Sequence, residues 1–178
     1  MKKFLTVFAI LFFFTQSFFA QGYNQSSKVL NAGLGFGFVG ATGDATIPPI
    51  SVGLQFGYNE KISVGGIVGF TASNEKLGLF DWEYNYTYIL IGARGEYHFM
   101  EPTNKLDAYA GLTLGYNVAS SSFSGKSVAG IKPPSASAGG VLYGFHAGAR
   151  YAVGNNWGVF GELGYGIGYI TAGAFFKF

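Results

Sequence analysis

A strict alternation of apolar with small or polar residues is the feature that most limits what this chain can fold into. From Trp157 to Ile167 every second residue is apolar or Gly, and the pattern resumes from Ile170 to the final Phe178. Successive side chains of a β-strand point to opposite faces, so a period of two predicts strands that each carry one apolar face. The sequence therefore predicts an all-β fold.

The same alternation predicts six earlier strands, which makes eight in all. By the first and last residues of their apolar faces, the predicted strands are Leu30 to Phe38, Ile50 to Tyr58, Ile62 to Phe70, Ile89 to Phe99, Leu106 to Tyr116, Val141 to Tyr151, Trp157 to Ile167 and Ile170 to Phe178. The connections after strands two, four and six are short. Those after strands one, three and five are longer, and the last two of these are predicted as loops at 73–83 and 120–140. An even number of strands with this pattern of connections is typical of membrane β-barrels.

The first twenty residues are predicted to be a secretory signal peptide and not part of the fold. Lys2 and Lys3 precede an apolar run from Phe4 to Phe14 that is too short to span a membrane, and Ala20 is the expected cleavage point. We therefore expect a signal peptide at 1–20, a short N-terminal segment at 21–27 and a barrel domain at 28–178. A signal peptide implies export from the cytoplasm.

Charge and cysteine content narrow the possible functions. Asp, Glu, Lys and Arg make up 11% of the chain, against about 25% of an average soluble domain. Without Lys2 and Lys3 the count of Lys and Arg falls from 11 to 9, which equals the 9 Asp and Glu residues. Nucleic acid is therefore not an expected partner. The chain has no Cys, so no disulfide supports the fold.

The lack of a long apolar stretch favours a β-barrel over spanning helices as the membrane-spanning fold. After the predicted signal peptide no run approaches the roughly 18 uninterrupted apolar residues that a spanning helix needs. Only helices and closed barrels satisfy all backbone hydrogen bonds in lipid. The chain is therefore predicted to be an eight-stranded antiparallel up-and-down transmembrane β-barrel.

The composition of the two strand faces predicts which face points outward. No Lys, Arg, Asp or Glu lies on the apolar face of a predicted strand, whereas the other face is mostly Gly with isolated polar residues. A charged residue facing lipid at mid-bilayer costs about 2–4 kcal/mol, so the apolar face is expected to contact lipid. Aromatic girdles are expected at both ends of this face: Tyr58, Tyr97, Phe99, Tyr151, Trp157 and Phe178 at one end, and Phe38, Phe70, Tyr116, Tyr143 and Tyr165 at the other.

From Lys28 to Phe178 the sequence resembles the OmpX/OmpA-type eight-stranded outer-membrane barrels. The resemblance rests on the alternation, the Gly-rich lumen positions and the closing stretch from Ala174 to Phe178. It implies a monomeric integral protein of a Gram-negative outer membrane, in contact with outer-membrane lipids and lipopolysaccharide. It also implies that Phe176 and Phe178 are the signal by which the outer-membrane assembly machinery recognises the last strand.

A small set of charged and imidazole side chains is predicted to face the lumen. These residues are Arg94, Glu96, His98, Asp107, His146, Arg150 and Glu162. Buried charges need partners, and eight strands enclose an interior just filled by side chains, so we expect a paired network and no open pore. Within it, one connected group is expected to hold the barrel shut: Arg94, Glu96, Arg150 and Glu162.

Hairpin geometry limits how the members of this network can meet. The sixth and seventh strands both place even-numbered residues inward, so the indices of paired residues are expected to sum to about 308 or 310. Either register sets Glu162 within one step of His146 or Arg150. Across the preceding hairpin, His98 is expected to face Asp107.

No catalytic, cofactor-binding or metal-binding residue is predicted. The chain has two His residues, and no Ser and acidic partner can be placed around either one as a Ser-His-acid arrangement requires. The G-x-G-x-x-G run from Gly35 to Gly40 lacks the helix that must follow it in a dinucleotide site. The expected function is therefore structural or in surface interaction, without enzyme activity.

Two alternative functions stay open at this point. A conduit for small molecules or hydrophobic compounds is the first, because the many lumen glycines could leave cavities. A soluble ligand-binding barrel of the periplasm is the second, since it shares the alternation but has a polar exterior. The loop at 120–140 is expected to be solvated, with binding of a surface partner as the other interpretation.

Overall fold

The computed structural model describes residues 25–38, 40–77, 82–124 and 134–178, which form one closed antiparallel barrel. In chain order the strands are β1 (Lys28–Phe36), β2 (Asp44–Gly57), β3 (Ile62–Leu77), β4 (Trp82–His98), β5 (Leu106–Ser124), β6 (Ala136–Ala152), β7 (Trp157–Tyr165) and β8 (Ile170–Lys177). The predicted fold class is confirmed. The described residues include no helix, so none is long and apolar enough to cross a membrane. The predicted signal peptide at 1–20 lies outside these residues.

The two ends of the barrel differ in the segments that they carry. At one end Lys28 exchanges backbone hydrogen bonds with Phe178, and β2 turns into β3 at 58–61. We call this the terminal end and the opposite one, with the β7–β8 turn at 166–169, the loop end. Each strand pairs with its neighbours in sequence, and β1 pairs with β8 to close the sheet.

The register of the β6–β7 hairpin is the second of the two expected from the sequence. Gly148 faces Glu162, and Arg150 faces Phe160. Because side chains alternate along a strand, this register places Glu162 inside the barrel at the level of the other lumen charges.

Exposure alternates along the strands, and the apolar face points outward. On β5, Leu112 is 70% exposed, whereas Thr113 and Tyr109 are 8% and 1% exposed. We call the outward belt the apolar band: Leu30 to Phe36, Ile50 to Phe56, Ile62 to Phe70, Ile89 to Phe99, Leu106 to Val118, Val141 to Tyr151, Trp157 to Tyr165 and Ile170 to Phe176. Every outward residue within these limits is apolar, aromatic or Gly.

Five strands are longer than the sequence analysis predicted. Relative to the prediction, β2 begins at Asp44, β3 continues to Leu77, β4 begins at Trp82, β5 continues to Ser124 and β6 begins at Ala136. The predicted loops at 73–83 and 120–140 are therefore wrong, although 78–81 and 125–133 lie outside the described residues. Outward residues change from apolar to polar beyond the apolar band while the backbone keeps pairing, as Asn85 does with Ser122. The apolar alternation that marked the strands thus ends before the strands do.

These extensions make the loop end uneven. β2 to β6 run past the ends of β7, β8 and β1 and form a projecting sheet, which comprises 44–47, 71–77, 82–88, 119–124 and 136–140. β6 pairs with β7 only from Phe145 to Ala152. Among the described residues, Ala136 to Gly140 of β6 therefore form an edge of the projecting sheet.

Phe38 and Ile167 were expected on the outward face, and the structure shows that this is wrong. Gly37 and Gly166, which directly precede them, have φ angles of 71° and 144°, so the chain leaves the strand there and turns inward. Phe38 is buried in a cluster that we call the apolar lid: Phe38, Ile67, Tyr88, Leu90 and Leu142. Ile167 packs against this cluster. The lid fills the lumen toward the loop end.

Candidate functional site

The candidate site is the group of ionisable side chains inside the barrel, which we call the lumen network. It comprises Arg94, Glu96, His98, Asp107, His146, Arg150 and Glu162. All of them are buried except Glu162, whose side chain is 10% exposed. His98 is the last residue of β4 and Asp107 the second of β5, so the network begins at the terminal end.

Glu96 lies at the centre of the lumen network. Its carboxylate accepts hydrogen bonds from Arg150 Nη2 at 2.8 Å and from Gln55 Nε2 at 3.0 Å. The Nε atom of Arg94 lies 3.5 Å away. A carboxylate this deeply buried needs several donors, and two guanidinium groups and an amide supply them.

Arg150 joins three strands across the lumen. Besides Glu96, it donates to Asp107 Oδ2 at 3.4 Å and to Asn31 Oδ1 at 3.3 Å. Its guanidinium carbon also lies 4.0 Å from the ring centroid of Tyr109, a cation–π contact. A planar fork of donors that can also stack on a ring is a property of Arg and not of Lys.

Arg94 joins Glu162 to the rest of the network. Its Nη2 donates to Glu162 Oε2 at 2.7 Å and its Nε to His146 Nε2 at 3.1 Å. The other oxygen of Glu162 accepts from the Tyr109 hydroxyl at 2.7 Å. Glu162 therefore binds partners across the lumen, from β4 and β5, and not Arg150 on the neighbouring strand. The lumen is narrow enough for these long side chains to meet although their strands are not neighbours in the sheet.

The structure also assembles a Ser-His-Asp arrangement, which the sequence analysis had judged impossible to build. His98 Nδ1 lies 2.9 Å from both oxygens of Asp107, and His98 Nε2 lies 3.0 Å from Ser63 Oγ. Ser63 is completely buried, and its Oγ donates to Glu96 Oε2 at 3.4 Å. A carboxylate beside the hydroxyl opposes the oxyanion that acyl transfer would create. The geometry favours a closed ring of hydrogen bonds through Arg150 over a nucleophilic centre.

A small cavity separates the lumen network from the apolar lid. Its volume is about 30 Å³, and its walls include Arg94, His146 and Glu162 on one side and Ile67 and Ile167 on the other. A water needs roughly 10–15 Å³ of such space, so the cavity has room for two or so. From the terminal end to the loop end, the lumen therefore contains an ionic layer, a small polar cavity and an apolar layer.

Sequence reasoning missed three side chains that complete the site. Tyr109 binds both Glu162 and Arg150, Ser63 links His98 to Glu96, and Asn31 binds Arg150. Tyr109 had a sequence signal, because it is a large residue at an inward position on a face otherwise rich in Gly. Ser63 and Asn31 had none, since small polar residues at inward positions are common in this chain.

Comparison with known proteins bears on the fold. No family model matches the sequence, and no curated protein matches it. Three solved structures are similar: the N-terminal β-barrel domain of Pseudomonas aeruginosa OprF (TM-score 0.59, 13% identity, 88% of this chain and 100% of that chain), Neisserial surface protein A (0.53, 17%, 85% and 94%), and the attachment invasion locus protein Ail of Yersinia pestis (0.51, 14%, 86% and 95%). At these identities the likeness concerns the fold alone. The chain has the fold of the OmpA/OmpX-type eight-stranded outer-membrane β-barrels.

Proposed function

We propose that this protein is an integral barrel of a Gram-negative outer membrane, with a closed lumen and a structural or surface-interaction role. The apolar band is the observation that carries this proposal. A tilted transmembrane strand needs about 9–11 residues, and along β4 and the residue after it the band runs from Ile89 to Phe99. Burial of this surface in lipid and lipopolysaccharide explains why its outward residues include no charge. A soluble barrel has no reason to expose such a surface.

The projecting sheet supports the surface-interaction part of the proposal. Beyond the apolar band most of its outward residues are polar, with Glu83, Asn85 and Thr87 on β4 and Ser120 and Ser122 on β5. Its other face carries aromatic residues: Trp82, Tyr84 and Tyr86 are partly buried, and the lid residue Tyr88 is buried. A sheet that leaves the membrane with a polar face, an aromatic face and an unpaired edge on β6 is suited to bind a partner.

Cell fractionation tests the proposed location. The protein is expected in the outer-membrane fraction, soluble only in detergent, and its unheated form is expected to migrate differently from the boiled form on a gel. Recovery from the periplasm without detergent would contradict the membrane assignment and favour the soluble ligand-binding alternative.

Conductance measurements test the conduit alternative. Because the ionic layer and the apolar lid close the lumen in series, we expect no steady channel current from the wild type or from either single-layer variant, Arg94→Ala/Glu162→Ala or Phe38→Ala/Leu90→Ala. Steady current from the wild type in planar bilayers would overturn the closed-lumen proposal.

The last strand is proposed to carry the signal for assembly. Phe178 is exposed and stacks on Phe176 at a centroid distance of 6.2 Å, while its backbone pairs with Lys28. Phe178→Ala keeps those backbone bonds, so refolding in detergent is expected to be unchanged whereas assembled barrel in cells falls several-fold. Phe99→Ala, at an equally exposed aromatic of the same end, is the control and is expected to assemble normally. Equal assembly of the two variants would refute the signal.

A further inference from the structure

Two carboxylates and one imidazole of the lumen network converge on a single point. One ligand atom each from Glu96, His146 and Glu162 lies within 4.8 Å of the other two. The guanidinium of Arg94 occupies this point, 2.7 Å from Glu162 Oε2, 3.1 Å from His146 Nε2 and 3.5 Å from Glu96 Oε1. These three residues therefore already bind a cation, the guanidinium group of Arg94.

The hydrogen bond from Arg94 also orients His146 for metal binding. Arg N–H groups only donate, so Nε2 of His146 presents its acceptor lone pair to the guanidinium. A metal ion at the same point would use that lone pair, because imidazole nitrogens bind metals through it.

Other residues hold the two carboxylates in place. Tyr109 donates to Glu162 at 2.7 Å, and Gln55 donates to Glu96 at 3.0 Å. Fixing ligands through a second hydrogen bond is how protein metal sites set ligand orientation. Distance also fits: Glu96 Oε1 and His146 Nε2 are 3.5 Å apart, close to the roughly 3.3 Å between neighbouring ligands of tetrahedral zinc.

We propose that Glu96, His146 and Glu162 form a site for a divalent transition-metal ion, which the guanidinium of Arg94 keeps closed in the wild-type barrel. One nitrogen and two oxygen ligands suit Zn²⁺ or Co²⁺, whereas Ca²⁺ and Mg²⁺ prefer oxygen alone. A water in the adjacent cavity, which Arg94, His146 and Glu162 line, completes four ligands. A dication also balances both carboxylates, where Arg94 balances one.

Removal of the Arg94 guanidinium group by substitution tests the proposal. Arg94→Met, prepared without a polyhistidine tag in detergent with EDTA, is expected to melt roughly 10 °C below the wild type, because Glu162 loses its cation and Glu96 keeps only Arg150. Stoichiometric Zn²⁺ is expected to restore most of that loss and to leave the wild-type melting temperature unchanged. Co²⁺ is expected to give a visible absorption band with Arg94→Met alone.

The double variant Arg94→Met/His146→Leu is the control, because it keeps both carboxylates but removes the nitrogen ligand. Zn²⁺ is expected to raise the melting temperature of the double variant by no more than it raises that of the wild type. Equal stabilisation of the single and double variants would overturn the site. Zn²⁺ binding to the wild type as tight as to Arg94→Met would overturn the closing role of Arg94. If Arg94→Met folds only when Zn²⁺ is present the proposal stands, and if it folds in neither condition the proposal is wrong.

Discussion

Replacing Arg150 with Met is expected to lower the free energy of unfolding by about 3–5 kcal/mol, because the buried carboxylates of Glu96 and Asp107 each lose a cationic partner. Arg150 binds Glu96 at 2.8 Å and Asp107 at 3.4 Å, and it is 3% exposed. The side chain of Met fills a similar space, so the loss would come from charge and hydrogen bonding more than from an empty volume. Urea unfolding in lipid vesicles, followed by the fluorescence of Trp82 and Trp157, measures the change.

A double-mutant cycle separates a network from independent contacts. Glu96→Gln alone is expected to destabilise as well, since it removes the charge that Arg94 and Arg150 share. Arg150→Met/Glu96→Gln is expected to lose less than the sum of the two single losses, because each change removes the other's partner. Lys61→Met, at an exposed turn position of the terminal end, is the control and is expected to stay within about 0.5 kcal/mol. Additive losses would mean that Arg150 and Glu96 do not act together.

Leu112→Arg is expected to destabilise the barrel in lipid by about 2–4 kcal/mol, since it places a charge near the middle of the apolar band. Leu112 is 70% exposed, and its cross-strand neighbours are Gly95 and Phe145. No anionic side chain faces outward within the band to pair with the new guanidinium. Reversible unfolding from lipid vesicles measures the difference from the wild type.

The control for this prediction is a position on the same strand and the same face that lies outside the apolar band. Ser120→Arg lies on the same strand and the same face but beyond the apolar band, so it is expected to change stability by less than about 0.5 kcal/mol. Leu112→Ala separates the loss of the leucine from the arrival of the charge. Thr113→Arg is not a suitable control, because Thr113 lines the small lumen cavity beside Arg94, where another guanidinium has neither room nor a free partner. Equal tolerance of Leu112→Arg and Ser120→Arg would contradict the lipid assignment.

The barrel architecture could be predicted because it depends on local pattern. Alternation along each segment specifies a strand and its two faces, and turn residues separate one strand from the next. The same parity identified the inward residues, so Arg94, Glu96, Arg150 and Glu162 were known to share the lumen before their contacts were. The inward positions of Phe38 and Ile167 were not predicted because a positive φ at the preceding glycine breaks the alternation. The sequence does not encode that angle in any periodic way.

The partners inside the lumen could not be predicted in the same manner. They depend on how closure of the sheet brings opposite walls together, and β4 and β7 are not neighbours in the sheet even though Arg94 binds Glu162. Arg150 on β6 and Asn31 on β1 likewise meet across the lumen although they lie 119 positions apart in the chain. Alternation indicates the face of the strand on which a side chain lies, because successive residues point to opposite faces. Which side chain it meets across a closed lumen depends on the stagger of all eight strands together.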